Sequence, residues 1–125
     1  MRRALSVWLP VALWCALIFR LSAQPDLDLN HLAPSWPFIW WLDWPLRKCA
    51  HAFEYTVLFI LVRRGLPPGR AWLFCVVYAI TDEYHQTFVP GRAGKVSDVI
   101  IDSVAAALPP LPLVRERVSA LLRRR

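Results

Sequence analysis

The stretch AWLFCVVYAITDEYHQTFVPGR, residues 71–92, joins ten consecutive apolar residues to a cluster of acidic and amide side chains. A segment of this kind, closed by Pro-Gly, predicts a transmembrane helix over residues 71–89 whose polar end lies near a membrane surface. Asp82, Glu83 and Gln86 fall in that polar end. A carboxylate facing lipid at the bilayer centre costs about 2.5–3.5 kcal/mol, so these acids need polar partners from other helices.

Three further apolar segments flank this one, at residues 4–21, 48–62 and 95–114. The chain has 125 residues, 57% of them hydrophobic, and a soluble domain of that size cannot hide so much apolar surface from water. The sequence therefore predicts a single all-α membrane domain over residues 1–125, with about four transmembrane helices. The first segment follows two arginines as a signal peptide does, but it lacks a small-residue cleavage site and is interpreted as a retained helix.

Basic residues lie before the first segment, between the second and third segments, and in the tail 115–125. The positive-inside rule puts both termini and the loop at residues 63–70 in the cytoplasm, and the two remaining loops outside. The tail has apolar residues at helical spacing and is expected to lie on an anionic membrane surface. Although the net charge is +6, the basic residues punctuate apolar segments instead of forming a polar face, which argues against nucleic acid as a partner.

Four tryptophans occur in the loop expected between the first two helices: Trp36, Trp40, Trp41 and Trp44. Tryptophan prefers the head-group layer, so this loop is predicted to lie in the outer interface as a short half-helix or re-entrant turn. It either anchors the protein or forms a platform for a lipid substrate, and the sequence leaves both open.

Polar residues share one face in each of the last three predicted helices. Steps of three and four residues align them within a helix, and the alternating helix directions bring them to the same depth in the outer half of the membrane. The set comprises Lys48, His51, Glu54 and Tyr55 in the second helix, Asp82, Glu83 and Gln86 in the third, and Asp98 and Asp102 in the fourth. Because lipid excludes carboxylates, these faces are expected to meet in one outward-facing polar site, closed by the loop that carries Arg92.

Three kinds of chemistry fit this site. The first is a hard divalent cation, the one cofactor that the sequence suggests, with Lys48 and Arg92 binding the phosphate of a lipid head group or polyprenyl-phosphate-linked ligand. Its ligands would come from His51, Glu54, Asp82, Glu83, Asp98 and Asp102, with Glu54, Asp82, Asp98 and Asp102 as the preferred metal set. The second is a proton- or ion-linked binding site without covalent chemistry. The third is a set of buried ion pairs that only hold the helices together.

The spacing of the polar residues also matches a known family. The matching elements are Leu21-Ser22-Ala23-Gln24-Pro25, Lys48-x2-His51-x2-Glu54-Tyr55, Asp82-Glu83-x2-Gln86-x-Phe88-x-Pro90-Gly91-Arg92, and Asp98. Through them the chain resembles the VanZ-like family of bacterial membrane proteins over most of its length. Asp102 stands where asparagine is expected and Ala105 where glycine is common, and the extra carboxylate favours a cation site.

The resemblance implies a multi-pass protein of the bacterial cytoplasmic (inner) membrane, in a family linked to low-level resistance to the glycopeptide antibiotic teicoplanin. The expected function is to bind or modify an envelope lipid or a glycopeptide-related ligand, and whether the protein is an enzyme is left open. The candidate catalytic residues are His51, Glu54, Asp82 and Glu83, and the candidate ligand-binding residues are Lys48, Tyr55, Gln86, Arg92, Asp98 and Asp102. The alternative is a non-enzymatic structural or accessory membrane protein whose buried ion pairs support helix packing.

Overall fold

The computed structural model describes residues 2–25 and 37–108, and the regular structure in these ranges is entirely helical. The helices are α1 (Arg2–Ser22), α2 (Pro37–Val62), α3 (Pro68–Gln86) and α4 (Val96–Ala107). The predicted all-α fold class is confirmed, and each predicted segment corresponds to one helix.

The start of α2 differs most from the prediction. This helix begins at Pro37, well before residue 48, so residues 37–44 are helical and continuous with α2. The prediction that they form a separate interfacial loop or re-entrant turn is wrong. Proline is favoured in the first turn of a helix because its fixed φ is already helical and its missing N–H has no partner to lose there. Trp36 lies outside the described residues, and the remaining three tryptophans belong to α2.

The other boundaries differ by smaller amounts. Helix α3 begins three residues early, again with a proline in its first turn, and it ends at Gln86 rather than at residue 89. Helix α4 ends at Ala107 and Leu108 already has an extended backbone, so the predicted continuation of the helix is wrong at Leu108. Residues 109–114 and the basic tail 115–125 fall outside the described residues.

Hydrogen bonds between side chains and backbone carbonyls of neighbouring helices fix the helix directions. Trp14 Nε1 of α1 donates to Glu54 O of α2, and Arg64 just after α2 donates to Ser6 O, so these two helices run in opposite directions. Tyr78 of α3 donates to Cys15 O of α1, and Asp82 lies beside Ser22 further along both helices, so α1 and α3 run in the same direction. Trp72 of α3 donates to Ser103 O of α4, and Glu83 accepts from the Lys95 N–H just before α4, so α3 and α4 run in opposite directions. Helices α1 and α3 therefore run one way and α2 and α4 the other.

Because the helices alternate in direction, the molecule has two distinct ends. The C-termini of α1 and α3 and the N-terminal halves of α2 and α4 share one side, here called the site end. The opposite side, here called the basic end, carries Arg63, Arg64 and Arg70 in and beside the α2–α3 connection.

Beside a buried apolar core, the described residues combine exposed large apolar side chains with buried acids. Leu13, Phe53 and Phe88 expose 63%, 62% and 68% of their surface, whereas Asp82 and Asp102 expose 3% and 0%. Large exposed apolar surface marks contact with a membrane or another protein. Hydrocarbon solvates apolar side chains well and carboxylates poorly, so a lipid environment favours buried acids beneath an apolar exterior.

Among the described helices, one is long and apolar enough by itself to cross a membrane, namely residues Ala4–Ser22 within α1. Helices α2 and α3 are interrupted by charged residues, and the 12 residues of α4 reach about 18 Å at 1.5 Å per residue, short of a hydrocarbon core of roughly 30 Å. The predicted four spans therefore remain a prediction.

Candidate functional site

The first connection at the site end joins α1 to α3. Ser22 Oγ lies 2.6 Å from Asp82 Oδ1, and both side chains are buried. One turn further along α3, the amide of Gln86 lies 3.1 Å from Asp82 Oδ2 and 3.1 Å from Glu83 Oε1 and donates to both. An amide has two N–H donors, so Gln86 can connect the two carboxylates.

The loop after α3 returns Arg92 toward the end of α1. Gly91 has φ +80°, a left-handed conformation in which a side chain is strained, and this turn reverses the chain. Arg92 Nε then donates to Gln24 O at 2.9 Å, while Nη1 and Nη2 lie 3.4 Å from Gln86 Oε1 and Leu21 O. The guanidinium thus covers the carbonyl end of α1, where the helix dipole favours positive charge.

Close backbone approach positions Glu83. A Cβ added to Gly94 would lie 2.3 Å from the carbonyl oxygen of Glu83, so only glycine fits between the loop and α3. This approach lets the backbone N–H of Lys95 donate to Glu83 Oε2 at 2.7 Å. The carboxylate of Glu83 is therefore oriented by a rigid backbone group on one side and by Gln86 on the other.

A second connection joins α2 to the start of α4. Lys48 Nζ forms an ion pair with Asp98 Oδ1, which also accepts a hydrogen bond from Ser97 Oγ at 3.1 Å. The side chains of Lys48 and Asp98 are 17% and 12% exposed, so most of the pair is removed from solvent.

One turn deeper, α2 and α4 bring together polar atoms that have no hydrogen-bond partner. His51 Nδ1 lies 3.7 Å from Asp102 Oδ2, too far for a hydrogen bond. Within the described residues, His51 Nδ1, Tyr55 Oη and both carboxylate oxygens of Asp102 are buried without a partner. A ligand atom from each of His51, Glu83 and Asp102 lies within 4.8 Å of the other two, which makes these three a candidate cation site.

A cleft of about 140 Å³ opens between the end of α1 and the face of α2. Its volume exceeds the roughly 10–15 Å³ that one water molecule requires, so it can admit water or a small polar group. The residues that line it are Leu21, Ser22, Arg47, Ala50, His51, Glu54 and Arg92. Two arginines and a histidine against one glutamate suit an anion.

The structure divides the predicted site residues into three groups. Asp82, Glu83 and Gln86 form a network with Ser22; Lys48 pairs with Asp98; His51, Glu83 and Asp102 form the candidate cation site. Of the preferred metal set, Asp102 belongs to that cluster, whereas Asp82 and Asp98 have other partners and Glu54 lines the cleft.

Two contributors lie outside the candidate residues proposed from sequence. Ser22, which contacts Asp82, belongs to the Leu21–Pro25 element of the family resemblance, and its place in that element could have indicated a role in the site. Arg47 precedes Lys48 by one residue, and a basic residue at the end of a predicted loop resembles an ordinary topology signal.

A helix able to span a membrane, an apolar exterior and a buried polar end together indicate a helical membrane protein. The sequence profile of the VanZ/LLP1 family matches residues 7–109, and the chain belongs to this family. No curated protein and no solved structure matches the chain.

Proposed function

We propose that the protein is a multi-pass component of the bacterial cytoplasmic membrane that binds the phosphate of an envelope lipid in the cleft at its site end. The observation that carries this proposal is the convergence of Arg47 and Arg92 on one cleft beside His51. Arginine binds phosphate through two parallel charge-assisted hydrogen bonds, and at the end of a helical bundle it lies where lipid head groups lie.

The apolar exterior supports several membrane crossings. Exposed large hydrophobic side chains occur on all four described helices, among them Leu13, Phe53, Ile80 and Val104. The three arginines of the basic end favour the cytoplasm, so the site end faces outward and both termini face inward.

Reporter fusions test this topology. Green fluorescent protein fused after residue 125 should fluoresce, and alkaline phosphatase inserted after residue 94 of the full-length chain should be active, because the phosphatase folds only outside the cytoplasm. An active phosphatase at residue 125, or an inactive one at residue 94 in a chain that accumulates normally, would contradict the orientation.

Binding to purified full-length protein in nanodiscs of zwitterionic lipid tests the ligand. Farnesyl phosphate is the probe and farnesol, which lacks the phosphate, is its control; binding is followed by tryptophan fluorescence or native mass spectrometry. Arg92→Gln should weaken farnesyl phosphate binding about 10- to 100-fold, since one charge-assisted hydrogen bond contributes about 1.5–3 kcal/mol.

A matched variant at the other end of the bundle makes this test specific. Arg64→Gln also removes one arginine that donates to a carbonyl of α1, but it lies at the basic end and should bind the probe as the wild type does. Equal losses in the two variants, or equal affinity for farnesol and farnesyl phosphate, would overturn the proposal. If the protein binds teicoplanin but neither farnesyl phosphate nor farnesol, a glycopeptide-related ligand is favoured.

The second candidate function is that of a structural or accessory membrane protein. It is supported by the internal partners of several acids, since Asp82 is bonded to Ser22 and Gln86 and Asp98 to Lys48. Asp82→Asn and Glu54→Gln distinguish the two functions. Unchanged thermal stability with loss of an envelope phenotype favours ligand binding, whereas failure of both variants to accumulate favours the structural role.

A further inference from the structure

We propose that His51, Glu83 and Asp102 bind a divalent transition-metal cation of the Zn²⁺ class. The three residues come from α2, α3 and α4, and a ligand atom of each lies within 4.8 Å of the other two. A cation at their centre would join three helices at one point. This site rests on its own observations and does not require a lipid phosphate in the cleft.

The state of Asp102 is the observation that points to a ligand. Its side chain is fully buried, and neither carboxylate oxygen accepts a hydrogen bond within the described residues. Buried carboxylates without partners are costly, because the lost hydration is not replaced. His51 Nδ1 faces the same space, is also buried, and likewise lacks a hydrogen bond.

Glu83 has the surroundings of an oriented ligand. Its two oxygens accept hydrogen bonds from the Lys95 backbone N–H and from Gln86 Nε2, at 2.7 Å and 3.1 Å. Outer contacts of this kind hold ligating carboxylates in position in metal sites. Each carboxylate oxygen has a second lone pair, so these hydrogen bonds leave Glu83 able to coordinate a metal.

The charge balance also favours a cation. The third member of the cluster, His51, lies 3.7 Å from Asp102 and coordinates a metal as the neutral imidazole. Glu83 and Asp102 then bring two negative charges into the cluster, and a divalent ion would neutralise both. The nearby Lys48 is paired with Asp98, and Arg92 donates to Gln24 O, Leu21 O and Gln86 Oε1.

One imidazole nitrogen with two carboxylate oxygens is a ligand set that suits Zn²⁺ and neighbouring metals better than Ca²⁺ or Mg²⁺, which prefer oxygen alone. Metal–ligand distances of about 2.0–2.2 Å imply that ligand atoms in a tetrahedral site lie about 3.4 Å apart. The ligand atoms of the three residues lie within 4.8 Å of one another, so they must approach by up to about 1.4 Å. Three protein ligands leave a fourth position for water or another small ligand.

Metal binding to the full-length protein in detergent tests this site in the absence of any phosphate ligand. After treatment with a chelator, the protein is loaded with Zn²⁺ for stoichiometry and calorimetry, and with Co²⁺ for visible absorption. The wild type should bind one ion per chain, and the Co²⁺ spectrum should show a tetrahedral or five-coordinate site with an imidazole ligand.

Asp102→Asn should weaken Zn²⁺ binding by more than the roughly 10- to 100-fold that loss of an outer contact costs. His85→Gln is the matched control for His51→Gln, because it also converts a site-end imidazole to an amide, but the ring of His85 packs against Phe19 and lies outside the cluster of three; it should retain wild-type affinity. If Asp102→Asn fails to accumulate, His51→Gln and the wild-type Co²⁺ spectrum decide the question.

Three results would overturn the metal site. They are absence of stoichiometric metal in the loaded wild type, wild-type affinity in both Asp102→Asn and His51→Gln, and a loss in His85→Gln equal to that in His51→Gln. Because the farnesyl phosphate experiment uses a different ligand and different variants, either proposal can fail while the other stands.

Discussion

The two ends of the helical bundle differ in where their charged side chains lie and in what they contact. At the site end, charged and amide groups from different helices lie against one another and are buried, as in the contact of Ser22 with Asp82. At the basic end, Arg63 and Arg64 donate to backbone carbonyls of Leu66 and Ser6 close to the surface. Buried polar contacts can fix which helix faces meet, whereas surface arginines need only cover helix ends and set orientation.

The largest expected difference between the ends comes from two glycines. Gly94→Ala would place a Cβ 2.3 Å from Glu83 O and 2.8 Å from Thr87 Cγ2, and it should lower the free energy of unfolding in detergent by about 2–3 kcal/mol. Gly69, in the first turn of α3, has no atom within 4 Å of an added Cβ, so Gly69→Ala should leave stability equal or slightly higher. Similar losses in both variants would show that the close approach at Gly94 does not limit packing.

The ion pair between α2 and α4 provides the next test. Lys48→Ala leaves Asp98 largely buried without its cation and should cost about 2 kcal/mol, less than a fully buried pair because both side chains keep some exposure. The double variant Lys48→Met, Asp98→Leu should recover most of that loss, since neither charge remains to be desolvated. Arg64→Ala serves as the control at the basic end and should stay near wild type. Denaturation of all four proteins in one detergent makes the comparison, and a loss in Arg64→Ala as large as in Lys48→Ala would remove the distinction between the ends.

Two serines allow the stability contribution of a polar contact between helices to be compared with that of a hydrogen bond within one helix. Ser22 Oγ lies 2.6 Å from Asp82 Oδ1 and 2.6 Å from Ile18 O of its own helix, so Ser22→Ala removes one contact of each kind. It should cost about 1–2 kcal/mol, because the buried carboxylate loses a polar partner. Ser103 Oγ donates to Val99 O of its own helix, and its replacement by alanine should have a smaller effect. Thermal unfolding of both variants checks this, and an effect of Ser103→Ala equal to that of Ser22→Ala would count against the Ser22–Asp82 contact.

The smallest effect is expected near the basic end. Trp72 Nε1 donates to Ser103 O at 2.9 Å, and Trp72→Phe keeps an aromatic ring while removing the donor. Hydrogen bonds between membrane helices contribute on average about 0.6 kcal/mol, and the same size of loss is expected here. Unfolding in detergent provides the measurement, and a loss comparable to that of Lys48→Ala would mean that this end is also held by strong polar contacts.

Much of the fold and of the grouping of polar residues follows from sequence periodicity. Helical spacing places Asp98 and Asp102 on one face of α4, and both are buried there. The alternation of apolar segments with loops likewise predicts helix directions, which places the acids of α3 and α4 at one end of the molecule. These features depend on local geometry and on the exclusion of charge from lipid, and both can be read from the chain.

The individual partners could not be predicted in the same way. Whether Asp102 meets His51 or another polar group depends on how far each helix is rotated and translated, and approaches such as that of Gly94 to Glu83 help to set this. The early start of α2 was missed because tryptophans that favour the head-group layer suggested an interfacial loop, yet the helix begins at Pro37 and continues through Pro45. Neighbouring packing can satisfy the carbonyl that a proline leaves without a partner, and a single sequence does not show which neighbours are present.

The contrast between α1 and the later helices has a consequence for the assembly of the protein during synthesis. Helix α1 can enter a membrane unaided, but α2 emerges from the ribosome with Lys48 before the chain has supplied Asp98. If α2 and α4 cross the membrane as proposed, we expect α2 to insert firmly only once α4 supplies Asp98 as the partner of Lys48. Truncation just before residue 96 should leave a chain that is inserted through its first helix and then degraded, because the later charges never meet their counterparts.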